Sequence, residues 1–410
     1  MSHPTHSYAD EDGHFRREDS VFRNFISSEP GARFAPAKDR YVLYINYGCP
    51  WAHRTIITRA LKSLEPVIQL VVTDFEMTQD GWLFTGRNGS TTADPLYGFT
   101  SLKQLYLKAD PNYTGRYTVP LLWDKKTETI VNNESSEIIR MFYSAFDELL
   151  EPGLREANRP GGGFYPSHLR KEIDEMNDWV YDTINNGVYK CGFATSQQAY
   201  DSSIYPLFKS LDRLEAHLAD PAHQPFLFGK HITEADIRLY TTLARFDVAY
   251  YSIFKCNLKM IRHDYPLLSL WLRNLYWDES ETTNGGAFKK TTAFNLYKYG
   301  YLKARGRQMH AGSDLGWSVI LPRGPQPDIA PLTDEEEQLL LAGKLSRLDL
   351  TAAPAKSQGS SVKSGADINR RGSAQTPLSP GEAHSEENAR WYKAAKKVEK
   401  SSGPHMHLAL

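Results

Sequence analysis

The chain has 410 residues, a formal net charge of −1, and 40% hydrophobic and 24% charged residues. This length allows two domains with appendages, and the balanced charge offers no basic surplus for nucleic acid and no acidic surplus that would mimic a polyanion. No apolar run approaches the roughly 20 residues that a membrane span requires, and the polar, acid-containing N-terminus is unlike a secretory signal, so we expect neither a nucleic-acid nor a membrane partner.

The cysteine content is low and irregular. Cys49, Cys191 and Cys256 lie far apart in the sequence and are odd in number, which argues against a disulfide framework and fits a reducing compartment. The sequence therefore predicts a cytoplasmic protein.

The first predicted unit mixes strands and helices. Strands are predicted at 41–47, 66–73, 119–124 and 129–131, and helices at 50–64 and 134–150, with a polar, glycine-rich stretch at 80–107 between the two halves. The order β-α-β followed by β-β-α predicts an α/β thioredoxin-like domain over residues 36–150, preceded by an N-terminal extension over 1–35.

The second predicted unit is helical. After a Pro- and Gly-rich linker at 151–163, helices are predicted at 168–184, 201–218, 233–254 and 266–276, with Thr233 and Asp236 as a capped helix start. No strand signal intervenes, so we expect an all-α C-terminal domain over 164–330. Residues 331–410 form a low-complexity tail, dominated after about Thr351 by small and polar residues, and we expect it to be disordered.

The string NYGCPWAHRT, residues 46–55, contains the strongest chemical signal. Cys49 follows a predicted strand, and Pro50 stands at the first position of a predicted helix. A thiolate there would face the free N–H groups of Trp51 and Ala52 and the positive end of the helix dipole, so we expect a lowered pKa and a nucleophilic cysteine.

The same string predicts a monothiol site. Ala52, followed by His53, stands where a dithiol oxidoreductase has its second cysteine, so the resolving thiol must come from outside, and glutathione is the abundant candidate. The alternative is a structural buried cysteine. The strand–Cys–Pro–helix context disfavours that alternative for Cys49, and we retain it for Cys191 and Cys256.

Two further strings fit glutathione. In RYTVP, residues 116–120, the residue before a cis-proline would offer its backbone to an extended thiol peptide, although such a pair is often only an edge-strand feature. In NNESSE, residues 132–137, Ser135 would hold a carboxylate and Glu134 an ammonium group. The alternative is that Asn133 simply caps the helix; the presence of Cys49 in the same domain favours glutathione.

These residues resemble a known family, the glutathionyl-hydroquinone reductases, which form the Xi class of glutathione transferases and are related to the Omega class. The resemblance covers roughly residues 15–295. The strings that carry it include FRNFI, YGCPWAHRT, DGWLF, LYLKADPNYTGRYTVPLLWDKKT, IVNNESSEIIRMF and ITEADIRLYTTLARFDV.

The resemblance implies an activity and roles for single residues. The protein would reduce S-glutathionyl-hydroquinones through a Cys–glutathione mixed disulfide, as a homodimer and without a metal. Cys49 matches the nucleophile, Tyr189 a tyrosine that donates a proton, and Tyr250 a tyrosine that stabilises the thiolate. The positions that match glutathione contacts are Trp82, Arg116, Tyr117, Thr118, Val119, Glu134 and Ser135. Each tyrosine has an ordinary alternative as a core residue, because the chain contains 23 of them.

Residues 295–318 depart from the family pattern. Two histidines and an Asn-Pro pair of the family are missing, whereas Lys298 and Tyr301 match, the latter on a third active-site tyrosine. Either the protein has diverged here or the segment stems from a misassigned stretch of the gene. The alternatives to the reductase are an Omega-like thioltransferase or dehydroascorbate reductase, a non-catalytic glutathione-binding module with an altered pocket, and an ordinary conjugating transferase.

Overall fold

The computed structural model describes residues 8–75, 77–78, 80–309 and 322–341. Most of the range predicted as a disordered tail, and the last part of the divergent segment, residues 310–318, lie outside these residues.

A four-stranded mixed sheet forms the centre of the N-terminal domain. Its strands are β1 (Tyr41–Ile45), β2 (Ile68–Val72), β5 (Leu121–Asp124) and β6 (Thr129–Asn132), in the order β2-β1-β5-β6. Strand β1 pairs parallel with β2 and antiparallel with β5, and β5 pairs antiparallel with β6. All five residues of β1 are buried, as expected of an inner strand covered on both faces. The thioredoxin-like arrangement predicted from the sequence is confirmed.

Three helices accompany this sheet, α1 (Pro50–Leu61), α2 (Leu102–Ala109) and α3 (Ser135–Ser144). Two features that overlap the stretch 80–107 were not predicted: the short hairpin of β3 (Met77–Thr78) with β4 (Gly81–Trp82), and helix α2. Helix α2 begins with a capping box in which the side chains of Ser101 and Gln104 satisfy each other's backbone N–H groups. Helix α3 ends before the predicted boundary, at Ser144, and a 3₁₀ turn over Asp147–Leu149 follows.

The C-terminal domain is helical, as predicted. Its helices are α4 (Arg170–Val180), α5 (Gly187–Phe193), α6 (Gln197–Leu218), α7 (Glu234–Arg245), α8 (Tyr251–Ile253), α9 (Ile261–Asp264), α10 (Pro266–Trp277), α11 (Ala287–Lys290), α12 (Phe294–Met309) and α13 (Asp334–Leu341). The predicted cap is present, since the Asp236 carboxylate accepts hydrogen bonds from the Thr233 backbone N–H and hydroxyl. Two π-helical turns, Tyr181–Asn185 and Phe246–Tyr250, interrupt the predicted helices 168–184 and 233–254.

The tail was predicted to start at residue 331, but helix α13 shows that ordered structure continues beyond this boundary. It lies within 331–410, and Glu336 near its first turn forms an ion pair with Arg273 of α10 and accepts a hydrogen bond from the Thr333 N–H. Local composition did not reveal this contact because Arg273 lies far away in the sequence. The predicted linker 151–163 consists of three successive 3₁₀ turns.

Helix α1 joins the two domains. Ala52 and Ile56 pack into the core under the sheet, whereas Ile57 and Leu61 belong to the core that the C-terminal helices share. The N-terminal end of α1, which carries Cys49, therefore lies at the junction of the two domains. In the described ranges no helix is both long and apolar enough to cross a bilayer.

Candidate active site

A short turn between β1 and α1 holds Cys49 at the helix N-cap position. The Asn46 carboxamide fixes this turn: its Oδ1 accepts from the Gly48 N–H at 2.8 Å, and its Nδ2 donates to the carbonyl of Asp74 at 2.9 Å. Gly48 is required there, because a Cβ would lie 2.4 Å from the ring of Phe75. The sequence thus places the thiol at the start of α1, as predicted.

Cys49 is half-buried, and its thiol donates to the Val119 carbonyl oxygen at 3.5 Å. The Val119–Pro120 peptide bond is cis. Burial raises the pKa of the Cys49 thiol, and this effect outweighs the N–H groups of Ala52 and Trp51 and the charges of Arg245 and Arg17, which act in the opposite direction. The expected lowering of this pKa is therefore wrong: the helix N-terminus acts as predicted, but desolvation is stronger.

Three tyrosines from three separate elements meet beside Cys49. The Tyr301 hydroxyl lies 3.0 Å from that of Tyr189 and 2.7 Å from that of Tyr250, and it donates to the Gly48 carbonyl oxygen at 3.5 Å. We call Tyr189, Tyr250 and Tyr301 the tyrosine cluster. Burial raises the pKa of each of the three phenols, so all three stay protonated at neutral pH.

Arg245 contacts the turn that holds Cys49, and it was not identified from the sequence. It is fully buried, and its guanidinium donates to the carbonyl oxygens of Gly48 (3.2 Å) and Tyr47 (3.3 Å) and to Nδ1 of His53 (2.9 Å). No acidic side chain of the described chain forms an ion pair with it. Burial and the Arg245 charge hold the pKa of His53 well below its usual value, so the imidazole is neutral.

The N-terminus of α3 forms a second part of the site. Glu134, not Asn133, is the N-cap residue: its carboxylate accepts from the Ser136 N–H at 3.0 Å. Burial would raise the pKa of Glu134, but hydrogen bonds from Ser136 and the charge of Arg54 keep it below its usual value. The backbone N–H of Ser135 has no acceptor among the described residues, as expected for the first turn of a helix.

A buried arginine stands next to this helix end. Arg54 is 1% exposed, donates to Asn185 Oδ1 at 2.7 Å and to the Ser135 hydroxyl at 3.4 Å, and stacks over the Trp51 ring. Burial lowers the pKa of Arg54 to about 9. Its Nε has no hydrogen-bond partner among the described residues, so the site contains a cation that the protein itself pairs only in part.

Thr118 is held by a tyrosine, Tyr106, that the sequence did not single out. The Tyr106 hydroxyl donates to the Thr118 carbonyl oxygen at 2.9 Å and accepts from the Thr118 N–H and from Asn133 Nδ2. This hydroxyl thereby ties the segment before Pro120 to the segment before α3.

The remaining predicted contacts lie on β4 or in the segment before Pro120. Trp82 is on β4, the Tyr117 side chain packs over Gly81, and Arg116 is exposed. No hydrogen bond or ion pair between described residues joins Trp82 or Arg116 to Cys49.

The segment before the N-terminal domain contacts Arg116 and the N-terminus of α3. Glu18 forms an ion pair with Arg116 at 3.5 Å, and the Ser20 hydroxyl donates to the Glu134 carboxylate at 3.2 Å. Arg17 lies over Trp51 and Tyr189. The two polar contacts join residues about a hundred positions apart, so no local sequence pattern indicated them. No group of three or more potential metal ligands occurs in the described part of the chain.

Comparison with known proteins agrees with this geometry. Residues 48–145 match the family of the glutathione S-transferase N-terminal domain, and residues 197–274 match that of the C-terminal domain. Glutathione S-transferase omega-like 2 of Schizosaccharomyces pombe is 48% identical over 322 residues, 78% of this chain and 96% of that protein. Glutathionyl-hydroquinone reductase YqjG of Escherichia coli is 50% identical over 270 residues, 64% of this chain and 79% of that protein.

A solved structure is similar throughout both domains. The Xi glutathione transferase ECM4 of Saccharomyces cerevisiae, determined in complex with glutathione, superposes with a TM-score of 0.68 at 41% identity and covers 77% of this chain and all of that one. With its thioredoxin-like and helical domains and the cysteine at their junction, the chain belongs to the Xi class of glutathione transferases, the family of the glutathione-dependent glutathionyl-hydroquinone reductases.

Proposed function

We propose that this protein reduces S-glutathionyl-hydroquinones to hydroquinones, with glutathione as co-substrate, through a mixed disulfide at Cys49. One observation carries the proposal: a single half-buried thiol at a helix N-terminus lies beside a cluster of three protonated phenols. A nucleophile and a proton donor at one point are what cleavage of an aryl carbon–sulfur bond requires.

The tyrosine cluster supplies the proton in the first step. The ring carbon that carries sulfur is a poor leaving group until it is protonated, and protonation there gives a ketone tautomer. Tyr189 is the proposed donor, since its hydroxyl is protonated at neutral pH and the residue as a whole is only half-buried. Tyr301, hydrogen-bonded to both Tyr189 and Tyr250, would redistribute the charge that remains after the transfer.

Cys49 acts in the second step. Its thiolate attacks the glutathione sulfur, the carbon–sulfur bond breaks, and the electron pair leaves with the ring as an enolate, which becomes the hydroquinone. The thiol is oxidised to a mixed disulfide and the ring carbon is reduced. A second glutathione then attacks the mixed disulfide and leaves as oxidised glutathione, so the protein needs only one reactive cysteine.

The glutathione moiety is proposed to extend from Cys49 to the N-terminus of α3. Val119 would pair with it through its backbone, and the free Ser135 N–H, with Arg54 behind it, suits a carboxylate. Glu134 would take the ammonium group. Trp82, Arg116, Tyr117 and Thr118 remain proposed glutathione contacts. The similar yeast structure in complex with glutathione and the name of the bacterial relative support this assignment.

The test compares wild type with Cys49→Ser and Tyr189→Phe in the glutathione-dependent release of hydroquinone from a glutathionyl conjugate. We expect Cys49→Ser to be inactive and Tyr189→Phe to lose about 10²- to 10⁴-fold in kcat. If wild type binds glutathione but releases no hydroquinone, the protein is a non-catalytic glutathione-binding module. Conjugating activity retained in wild type would indicate an ordinary transferase. The homodimer and the cytoplasmic location remain predictions.

A further inference from the structure

Arg17 reaches the site from outside both domains. It belongs to the segment before the thioredoxin-like domain, yet its guanidinium carbon lies 4.6 Å from the centre of the Trp51 ring and 5.1 Å from that of Tyr189. Trp51 and Tyr189 stack on each other with centroids 6.4 Å apart. The arginine therefore covers Trp51, two residues after Cys49, and the proposed proton donor together.

One hydrogen bond and the surrounding aromatic rings fix the position of Arg17. Nε donates to Oδ1 of Asn186 at 2.8 Å, and Asn186 is itself buried directly before α5. Phe15, 5% exposed, anchors the segment by packing on Tyr189 and Phe193. An arginine held by ring faces and one hydrogen bond loses little further freedom when it binds a ligand.

The charged end of Arg17 is not used by the protein. Its neighbours in the sequence form ion pairs elsewhere, Arg16 with Asp10 and Asp12, and Glu18 with Arg116. Arg17 itself has no ion pair in the described residues, and its two terminal amino groups have no hydrogen-bond acceptor there. The side chain is exposed, so its cationic fork is open to solvent beside the ring of Tyr189.

We propose that Arg17 binds the oxygen of the aromatic leaving group, where negative charge develops as the carbon–sulfur bond breaks. The inference rests on the proposed function and deepens it. When Tyr189 protonates the ring carbon and the Cys49 thiolate takes the sulfur, the electron pair of the broken bond moves onto the ring oxygen as a phenolate. A guanidinium donates two hydrogen bonds to such an oxyanion and neutralises it.

The electrostatics of the free site agree with this role. Burial raises the pKa of both Cys49 and Tyr189, and the Arg17 charge is among the influences that lower both. Arg17 thus favours negative charge at the two groups on either side of the bond that breaks.

The first experiment does not depend on reductase activity. Cys49 is alkylated with neutral iodoacetamide and with anionic iodoacetate, and the ratio of the two rates is measured by peptide mass spectrometry. We expect Arg17→Gln to lower the relative rate with iodoacetate about fivefold, and Arg17→Lys to restore much of it. The matched control is Arg213→Gln, which removes another exposed arginine stacked on a tryptophan, Trp179, at 4.2 Å. It should leave the ratio unchanged.

The second experiment measures reduction of glutathionyl-hydroquinones by the same variants. We expect Arg17→Gln to lower kcat by about tenfold or more with a smaller change in KM. The loss should shrink for a ring with electron-withdrawing substituents, whose phenolate is intrinsically more stable. If Arg17 had only a structural role, Arg17→Gln would lower kcat by the same factor for the substituted and the unsubstituted ring.

The outcomes separate the two proposals. If wild type reduces the conjugates and Arg17→Gln matches it in kcat and in the alkylation ratio, the inference is wrong and the proposed function stands. If wild type reduces no conjugate, the proposed function fails, and the assignment of Arg17 to an aromatic leaving group fails with it.

Discussion

At the scale of single residues, the site combines neutral acids with cations. The Cys49 thiol and the tyrosine cluster are all held in their protonated forms by burial, whereas Arg245 and Arg54 are buried without an acidic ion-pair partner in the described chain. Burial keeps the thiol and the phenols neutral in the free site. When a ligand binds or a proton is transferred, the nearby arginines stabilise the anion that forms.

The raised pKa of Cys49 makes its reactivity dependent on pH. Only the thiolate is nucleophilic, so we expect the rate of alkylation by iodoacetamide to keep rising above neutral pH, with a midpoint above the ordinary range of a cysteine. The measurement is a series of pseudo-first-order rates for the Cys49 peptide, with a short unfolded peptide of the same sequence as control. A rate that reaches its plateau below pH 7 contradicts the dominance of burial.

Tyr301 is the hydroxyl that connects the other two tyrosines. Tyr301→Phe leaves the hydroxyls of Tyr189 and Tyr250 without their short partners. Since an unsatisfied buried polar group costs about 1–3 kcal/mol, we expect urea denaturation to show a loss of stability in this range. Tyr299→Phe, on the same helix, is the control. Equal stabilities for the two variants would mean that the cluster is not held by Tyr301.

The sequence could reveal some of these residues and not others. Cys49 is marked by its turn and by Pro50, and the resemblance supplied the three tyrosines. Arg54 and Arg245 carry no local signal, because their roles depend on partners that are 131 and 192 positions away, Asn185 and His53. Desolvation of Cys49 likewise arises only when the C-terminal domain covers the turn.

At the scale of elements, the N-termini of α1 and α3 contribute more to the site than the lengths of these helices do. Helix α1 presents Cys49 and α3 presents Ser135, both at N-termini where backbone N–H groups are free. The two π-helical turns place Asn185 against Arg54 and Tyr250 against Tyr301. Apolar periodicity predicted continuous helices there, because one inserted residue in a turn barely changes a pattern of buried positions.

The cap of α3 gives a prediction for stability. Glu134→Ala removes the carboxylate that accepts from Ser136, and we expect a loss of about 1 kcal/mol at neutral pH. Because the pKa of Glu134 is lowered in the folded state, its contribution is complete above the ordinary pKa of a glutamate and is lost as the pH falls through the folded value. The measurement is urea denaturation from pH 7 to pH 3.

Glu148→Ala is the matched control, since Glu148 is exposed and follows the end of the same helix. It should change stability by less than about 0.5 kcal/mol at either pH. A Glu134→Ala difference that grows on acidification contradicts the lowered pKa.

At the scale of the whole molecule, polar contacts hold the two domains in the arrangement that closes the site. Arg140 of α3 donates to both carboxylate oxygens of Glu234 on α7 at 2.9 Å, and it forms an ion pair with Asp174 of α4. Glu234 is fully buried. The thioredoxin-like and all-α domains were predictable from element order, but this junction was not, because Arg140 and Glu234 are 94 positions apart in the sequence.

Removing this junction should destabilise the protein. Arg140→Ala leaves the buried Glu234 with fewer donors, and hydrogen bonds to charged groups contribute about 1.5–3 kcal/mol. We expect a loss of this size in urea denaturation that changes little with salt, because buried pairs are screened weakly. Lys171→Ala is the control: its pair with Glu175 is exposed and spans 4.0 Å, so its loss should be within about 1 kcal/mol. Equal effects would contradict the bridging role of Arg140.

A single-turnover reaction tests the central claim most directly. The protein is mixed with one equivalent of a glutathionyl-hydroquinone in the absence of free glutathione, and intact mass and released hydroquinone are measured together. The account predicts that wild type gains one glutathionyl group at Cys49 and releases an equal amount of hydroquinone, whereas Cys49→Ser does neither. Release of hydroquinone without a glutathionyl group on Cys49, or the same adduct on Cys49→Ser, would contradict it.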